Sequence, residues 1–383
     1  MSVTDTMKPK CALCRVELTP ENDSGEHLIT NAIGGKKKVK GVYCVPCNNS
    51  TGTLWGAEVV RQFQFITLQL GVVRDRGTAS SGTFGTASGE PIRLHPDGTL
   101  SFLPQKPVVT KQGGEVRIAS RVRNRAEAER MLRGFQRTYP KLDVDAAMQN
   151  IAGETSYLSE PVVGVTTFGG PKAGRSAVKS ALTLAVSAGV DPQICNLALA
   201  YLTNEESEPC FGFYSRRNMV RNRPQGKIFH CVAIEGDPAS GRLIGYVEYF
   251  SVYRIVIALS NCYTGPLVKA SYAIAPTTGT EMSLDVDFTF TDDELRFAVS
   301  NADDVNPAHV QAMNEVMAIA QQLSIKREEA RVARHAYQTA LSKLDLRPGQ
   351  DMTSEIALAI SKELTAQMMP FLLHRIFSQG RSR

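Results

Sequence analysis

The chain of 383 residues carries a single Trp and a net charge of only +5, from 43 Lys+Arg against 38 Asp+Glu. It has no uninterrupted apolar run near the roughly 18 residues a membrane span needs, so no integral membrane protein is expected and no membrane partner. The opening MSVTDTMKPK has no apolar stretch behind its charges, so no secretory leader is expected and the default address is cytoplasmic. Dominant disorder is excluded too, because 43% hydrophobic and 21% charged residues are enough to bury a sizeable core. The length allows two or three domains.

The small excess of positive charge is unevenly spread. Residues 111–141 hold nine basic and three acidic residues, and the run Arg216, Arg217, Arg221, Arg223 and Lys227 has no acid between its members. Residues 301–383 are nearly balanced, ten against nine. Basic blocks can build a phosphate-facing surface, and they can equally be solvated loops and helix faces.

Eight cysteines divide into two kinds. Cys11-x-x-Cys14 and Cys44-x-x-Cys47 repeat one spacing with 29 residues between the pairs, whereas Cys195, Cys210, Cys231 and Cys262 are scattered through apolar surroundings and read as core. A two-residue gap lets a tight turn aim both thiolates at one ion about 2.3 Å away. Two such pairs predict a tetrahedral site, and four thiolates suit zinc. Two disulfides or a redox pair are the alternatives, and they fit a chain without a leader less well. With four thiolates bound, no position is left for water or substrate, so the site is structural.

Inside the loop closed by the knuckles runs Ser24-Gly25-Glu26-His27-Leu28-Ile29-Thr30-Asn31-Ala32-Ile33-Gly34-Gly35, followed by Lys36, Lys37, Lys38 and Lys40; after the second knuckle comes Asn48-Asn49-Ser50-Thr51-Gly52. Hydrolysis of a phosphodiester needs a water nucleophile, a base and positive charge for the transition-state oxygens. His27 is the only histidine of the segment and suits the base. Glu26 offers a hard oxygen to Mg²⁺ or Mn²⁺, and Asn48 can cap a helix or present its carbonyl oxygen to a metal. If Glu26 and His27 share an extended strand, their side chains diverge. Gly34-Gly35 predicts a turn between two strands, with the lysines behind it beside a phosphate.

These residues resemble the HNH endonucleases, in the branch with a zinc-stapled ββα-metal site and an E-H-I-I-P-x-A-L-G-G / C-x-x-C-N-N-x-x-G pattern. The resemblance covers about residues 8–75. It implies His27 as base, Glu26 and Asn48 as ligands of a catalytic Mg²⁺ or Mn²⁺, structural zinc on Cys11, Cys14, Cys44 and Cys47, and DNA as substrate. It also suggests phage defence or restriction, with a defence-system partner protein or a homo-oligomer. Four positions depart from the family's usual residues: it often has Asp or His where Glu26 stands and His where Asn48 stands, both oxygen-ligand replacements here. Thr30 stands where the family has Pro, and the middle Asn, expected a few residues before Cys44, is replaced by Val39, Lys40 and Gly41, leaving backbone to orient His27.

The rest is less specific. Trp55, Val59 and Phe63 form an aromatic and aliphatic stripe at helical spacing, read as core. Residues 71–115 read as a small β-hairpin region and linker, 125–137 as a basic helix, and 176–201 as two helices split at Gly189–Pro192. Strands are expected at Phe229–Ile234, Leu243–Phe250, Tyr253–Leu259 and Met282–Phe290, and helix from Val305 with a break at Pro348-Gly349. Gly169-Gly170-Pro171-Lys172-Ala173-Gly174-Arg175-Ser176 imitates a phosphate-binding loop but has Arg175 where that loop needs Lys. Lys172, Arg175 and Lys179 are left as candidates to touch DNA phosphates or a regulatory ligand. His230 reads as a structural histidine.

The sequence therefore predicts an α+β protein: an N-terminal nuclease module (1–75), a hairpin linker with a basic helix (76–150), an α+β domain of unknown role (151–300) and a helical tail (301–383). The function expected is a metal-dependent endonuclease. A sensor-effector gated by a ligand or partner on the C-terminal domain, and a non-catalytic zinc protein that binds DNA, are the alternatives. Lys36, Lys37, Lys38, Lys40, Arg216, Arg217, Arg221 and Arg223 are the expected DNA contacts.

Overall fold

The structure is a computed structural model that describes residues 9–380 except 104, 114, 123, 152–156, 159, 165, 166, 301–306, 345–348 and 350. The leader reading at residues 1–8, the helix start at Val305 and Pro348 of the expected break lie outside the described residues. The chain groups into two discontinuous compact units, residues 1–79 with 166–322 and residues 80–165 with 323–383. The knuckle segment thus shares its unit with chain from beyond residue 165.

The first unit begins with an antiparallel hairpin, β1 (Asp23–His27) and β2 (Lys38–Cys44). The turn between them needs both glycines. Gly34 has φ +105°, and a Cβ on Gly35 would lie 1.7 Å from the Ile29 carbonyl oxygen. α1 (Val45–Thr51) follows, with Cys44 at its N-cap and Pro46 in its first turn, where a missing N–H costs nothing. A π turn (Gly52–Gly56), α2 (Ala57–Gln62) and α3 (Gln64–Leu70) complete the segment. Val59 and Phe63 are fully buried as the stripe predicts; Trp55 is only half-buried.

α4 (Gly170–Ser187) and α5 (Asn196–Thr203) come next. α4 is buried without a break from Ala173 to Ala185, so it is covered on every face. It packs on β2, the π turn and α2 on one side, and on the central strands of a sheet on the other. Those strands are β3 (Phe211–Phe213), β4 (His230–Asp237), β5 (Arg242–Tyr249), β6 (Tyr253–Ser260), β7 (Val268–Ala275) and β8 (Thr280–Met282). They form one antiparallel sheet in the order β8-β7-β4-β5-β6-β3. Two expectations need correction. β7 was not foreseen, and Met282–Phe290 is not a strand: beyond Met282 only Val286 pairs, in a lone bridge with Val220. Leu284, Val286, Phe288 and Phe290 alternate because they pack into the core over the sheet, so period two reports burial here rather than a ladder. α6 (Asp292–Val299) opens with a complete capping box between Thr291 and Glu294. α7 (Pro307–Lys343) continues from this unit into the next.

The second unit holds a four-stranded antiparallel sheet ordered Leu100–Phe102, Pro91–Leu94, Gly82–Thr86, Val162–Val163, and a separate hairpin of Val108–Gln112 with Glu115–Ala119. Helices Arg125–Gln136 and Val144–Gln149 and the long helix Ser354–Gly380 accompany them. One stretch of that last helix, Ser354–Phe377, is long and apolar enough to cross a membrane by length and composition alone. Lys362 and Glu363 divide it, so it holds no long uninterrupted apolar run.

Candidate active site

The four knuckle cysteines converge. Their sulfurs all lie within 4.8 Å of one another, with Cys14 Sγ 3.6 Å from Cys44 Sγ. A tetrahedral ion with Zn–S bonds of about 2.3 Å holds its sulfurs roughly 3.8 Å apart, so the donor set fits zinc in number, softness and spacing. The first knuckle closes through Arg15 N–H donating to the Cys11 carbonyl at 2.9 Å. The second is the start of α1, where residues three apart lie on one face. Burial opposes ionisation of Cys11, yet the N–H groups of Cys14, Cys44 and Leu13 outweigh it and lower its pKa to about 7; burial pushes Cys44 and Cys47 up. A cation is what lets so crowded a set of thiolates form together. The other four cysteines split: Cys195, Cys210 and Cys231 are buried, whereas Cys262 is exposed and so is not core.

Cys47 and Asn48 are adjacent on α1, so whatever fixes the thiol also fixes the rotation that aims the amide. Asn48 Nδ2 donates to Ser24 Oγ at 2.8 Å. The β1–β2 register shifts between Ser24 and Glu26, a bulge that presents Glu26 to the same place. There, the Asn48 and Glu26 oxygens meet the ammonium of Lys179 from α4. Lys179 Nζ lies 2.8 Å from Asn48 Oδ1, 2.9 Å from Glu26 Oε1 and 2.8 Å from Thr51 Oγ1. Burial lowers the Lys179 pKa, against the attraction of Glu26.

His27 diverges from Glu26 as an extended strand requires. Its Nε2 lies 3.4 Å from Asp75 Oδ2, a long contact, and Lys38 Nζ lies 2.9 Å from the same oxygen. Asp75 is held in turn by its own N–H, which donates to Asn31 Oδ1 at 2.8 Å, while Asn31 Nδ2 donates to the Arg76 carbonyl. A carboxylate, rather than the backbone expected from the missing Asn, therefore sits against the imidazole. Nδ1 makes no hydrogen bond among the described residues. Burial lowers the His27 pKa, with the Asp75 contact working the other way.

Of the lysine run, Lys37, Lys38 and Lys40 are exposed and Lys36 is half-buried. The arginines are less free. Arg216 stacks its guanidinium 3.5 Å from the Phe297 ring centroid, Arg217 pairs with Asp287, and Arg221 lies 3.6 Å from Asp285 and 3.4 Å from Asp287. Arg223 donates to both carboxylate oxygens of Glu248, at 2.8 and 2.9 Å, and Glu248 is wholly buried. The phosphate-loop imitation resolves as the first turns of α4. Arg175 binds the carbonyls of Tyr201, Asn204 and Glu205 at the end of α5.

Asp75, Thr51 and Ser24 were not foreseen, and Lys179 was named without its partners. Thr51 and Ser24 stand inside the conspicuous motif, so proximity could have suggested them; Asp75 and Lys179 arrive by tertiary packing. No curated protein and no solved structure matches the chain. One family model does, and Asp75 and Lys179 lie outside the stretch it covers. Matching the model described as HNH endonuclease, residues 11–64 are an HNH module with a four-cysteine cluster.

Proposed function

We propose that the protein is an HNH-type nuclease that hydrolyses phosphodiester bonds of DNA, with His27 as general base. The observation that carries the reading is the imidazole of His27, its Nε2 against Asp75, next in sequence to a Glu26 whose carboxylate converges with Asn48 on one cation. Asp75 holds Nε2 in place, and Nδ1 is the nitrogen that accepts a proton from the attacking water. The deprotonated water adds to phosphorus, the bond to one ester oxygen breaks, and that oxygen leaves to be protonated by solvent. Lys37, Lys38 and Lys40 supply sequence-independent attraction to the phosphates, and Arg216, Arg217 and Arg221 extend it.

Glu26 and Asn48 are hard oxygen donors whose oxygens already share one cationic partner, so the pair suits Mg²⁺ or Mn²⁺ in chemistry. Such an ion, when bound, adds positive charge for the phosphoryl oxygens. Incubation of supercoiled plasmid with the zinc-loaded protein and Mg²⁺ or Mn²⁺ tests the proposal. Nicked or linear product supports it. Plasmid that is bound but uncut under every ion condition contradicts it and favours a DNA-binding module without catalysis.

A further inference from the structure

α4 carries a charge into the interior of its unit. Lys179 sits midway along the stretch buried from Ala173 to Ala185 and is 4% exposed. A buried ammonium is tolerated only when its three N–H groups are satisfied, and here they are, by Glu26, Asn48 and Thr51. The Tyr43 ring closes the site 4.8 Å away, and the Tyr43 hydroxyl donates to the Lys179 carbonyl. Two of the three acceptors are the residues assigned above to the divalent ion.

We propose that Lys179 is an internal competitor for the catalytic cation, its ammonium and a divalent ion at Glu26 and Asn48 being mutually exclusive. The inference rests on the ligand assignment under Proposed function. Mg²⁺ takes oxygens at about 2.0–2.1 Å. An ion sharing the Glu26 and Asn48 oxygens would therefore sit within a few ångströms of Nζ, inside a medium that screens repulsion poorly. Nor can the helix withdraw. A Cβ on Gly174 would lie 2.1 Å from the Phe211 ring, and one on Gly245 would lie 2.9 Å from Ala181 Cβ, so α4 is wedged against the sheet on both sides of Lys179. On the helix side, it is the lysine side chain that can yield. The affinity for the metal is thus held down by a residue 131 positions away from Asn48 in sequence.

The test is Mn²⁺ binding, followed by the spin-resonance signal of the free ion, to the full-length zinc-loaded protein without DNA. Wild type is compared with Lys179→Met, which removes the charge, and Lys179→Gln, which removes the charge but keeps a donor for Glu26 and Asn48. Both variants should bind Mn²⁺ at least about tenfold more tightly, the lower end of the coupling between close charges. Adding Glu26→Gln to either should cancel the gain. Equal affinity in wild type and variants, or a gain that survives Glu26→Gln, overturns the proposal. Should Lys179→Met fold poorly because Glu26 has lost its counter-charge, Mn²⁺ should raise its melting temperature more than that of wild type, and no such rise also overturns it. Plasmid cleavage is scored separately. A protein that shows the gain but cuts nothing keeps the competition and loses the reaction; one that cuts without the gain keeps the reaction and loses the competition.

Discussion

His230 Nε2 lies 2.8 Å from the carbonyl oxygen of Ile33, joining β4 to the turn of the knuckle segment across 197 residues of sequence. The other ring nitrogen, Nδ1, accepts the N–H of Phe250 at 3.1 Å, so the ring is neutral with its proton on Nε2. Nothing of the ring reaches solvent.

That burial makes the first unit acid-sensitive. It lowers the His230 pKa to about 4 from an ordinary 6.5, so the unfolded chain binds the proton more readily than the folded one. The contribution is complete above about pH 6.5 and is lost as pH falls from there through about 4, amounting to on the order of 3 kcal/mol. Denaturant unfolding between pH 7 and pH 4.5 should show the loss, and the His230 ring signals should not titrate above pH 5. A ring that titrates near 6.5 in the folded protein would contradict this.

Zinc should matter to the amide as well as to the fold. Cys47→Ser removes one thiolate of four and frees the turn of α1 that aims Asn48. Structural zinc contributes on the order of 10 kcal/mol in small domains, so the variant should lose most of its bound zinc and melt at a lower temperature. Elemental analysis of the purified proteins checks it. A wild type without zinc, or a Cys47→Ser that keeps its full complement, would contradict the assignment.

The arginines should divide by burial. Changing Arg216, Arg217 and Arg221 together to Gln should weaken DNA binding for all sequences and flatten its salt dependence, by about one unit of slope for each phosphate no longer neutralised. Arg223→Gln should act on the fold instead, because it leaves the buried Glu248 carboxylate to Arg254 Nε at 3.4 Å and the Tyr246 hydroxyl at 2.7 Å. With those two partners kept, the cost should fall near the lower end of the roughly 3–5 kcal/mol for breaking a buried pair. Salt-dependent DNA affinity and denaturant midpoints for the two variants separate the effects.

What could be read from the sequence was local. The two knuckles, Glu26-His27, Gly34-Gly35 and Asn48 announce themselves because spacing and residue type encode the chemistry within one short loop. Lys179 and Asp75 were not legible as neighbours of that site. Lys179 lies in a helix whose small residues let it pass between sheet and hairpin, and nothing in Ala177-Val178-Lys179-Ser180 signals what its ammonium will meet. Asp75 depends on Asn31 pinning a loop 44 residues later in the chain. β7 escaped notice because Lys269 and Ser271 alternate only with small Ala270, and the buried run Tyr272-Ala273-Ile274 then ends the alternation.

The central claim is that His27 removes the proton from the attacking water, and cleavage of supercoiled plasmid by His27→Ala tests it most directly. Zinc content and DNA affinity should stay at wild-type values, since the imidazole is not one of the four zinc ligands. The cleavage rate should fall by roughly 10²–10⁴, the usual worth of a general base, and added Mn²⁺ should not restore it. A His27→Ala protein that keeps its zinc, binds DNA and cuts at the wild-type rate would contradict the account and move the chemistry away from this site.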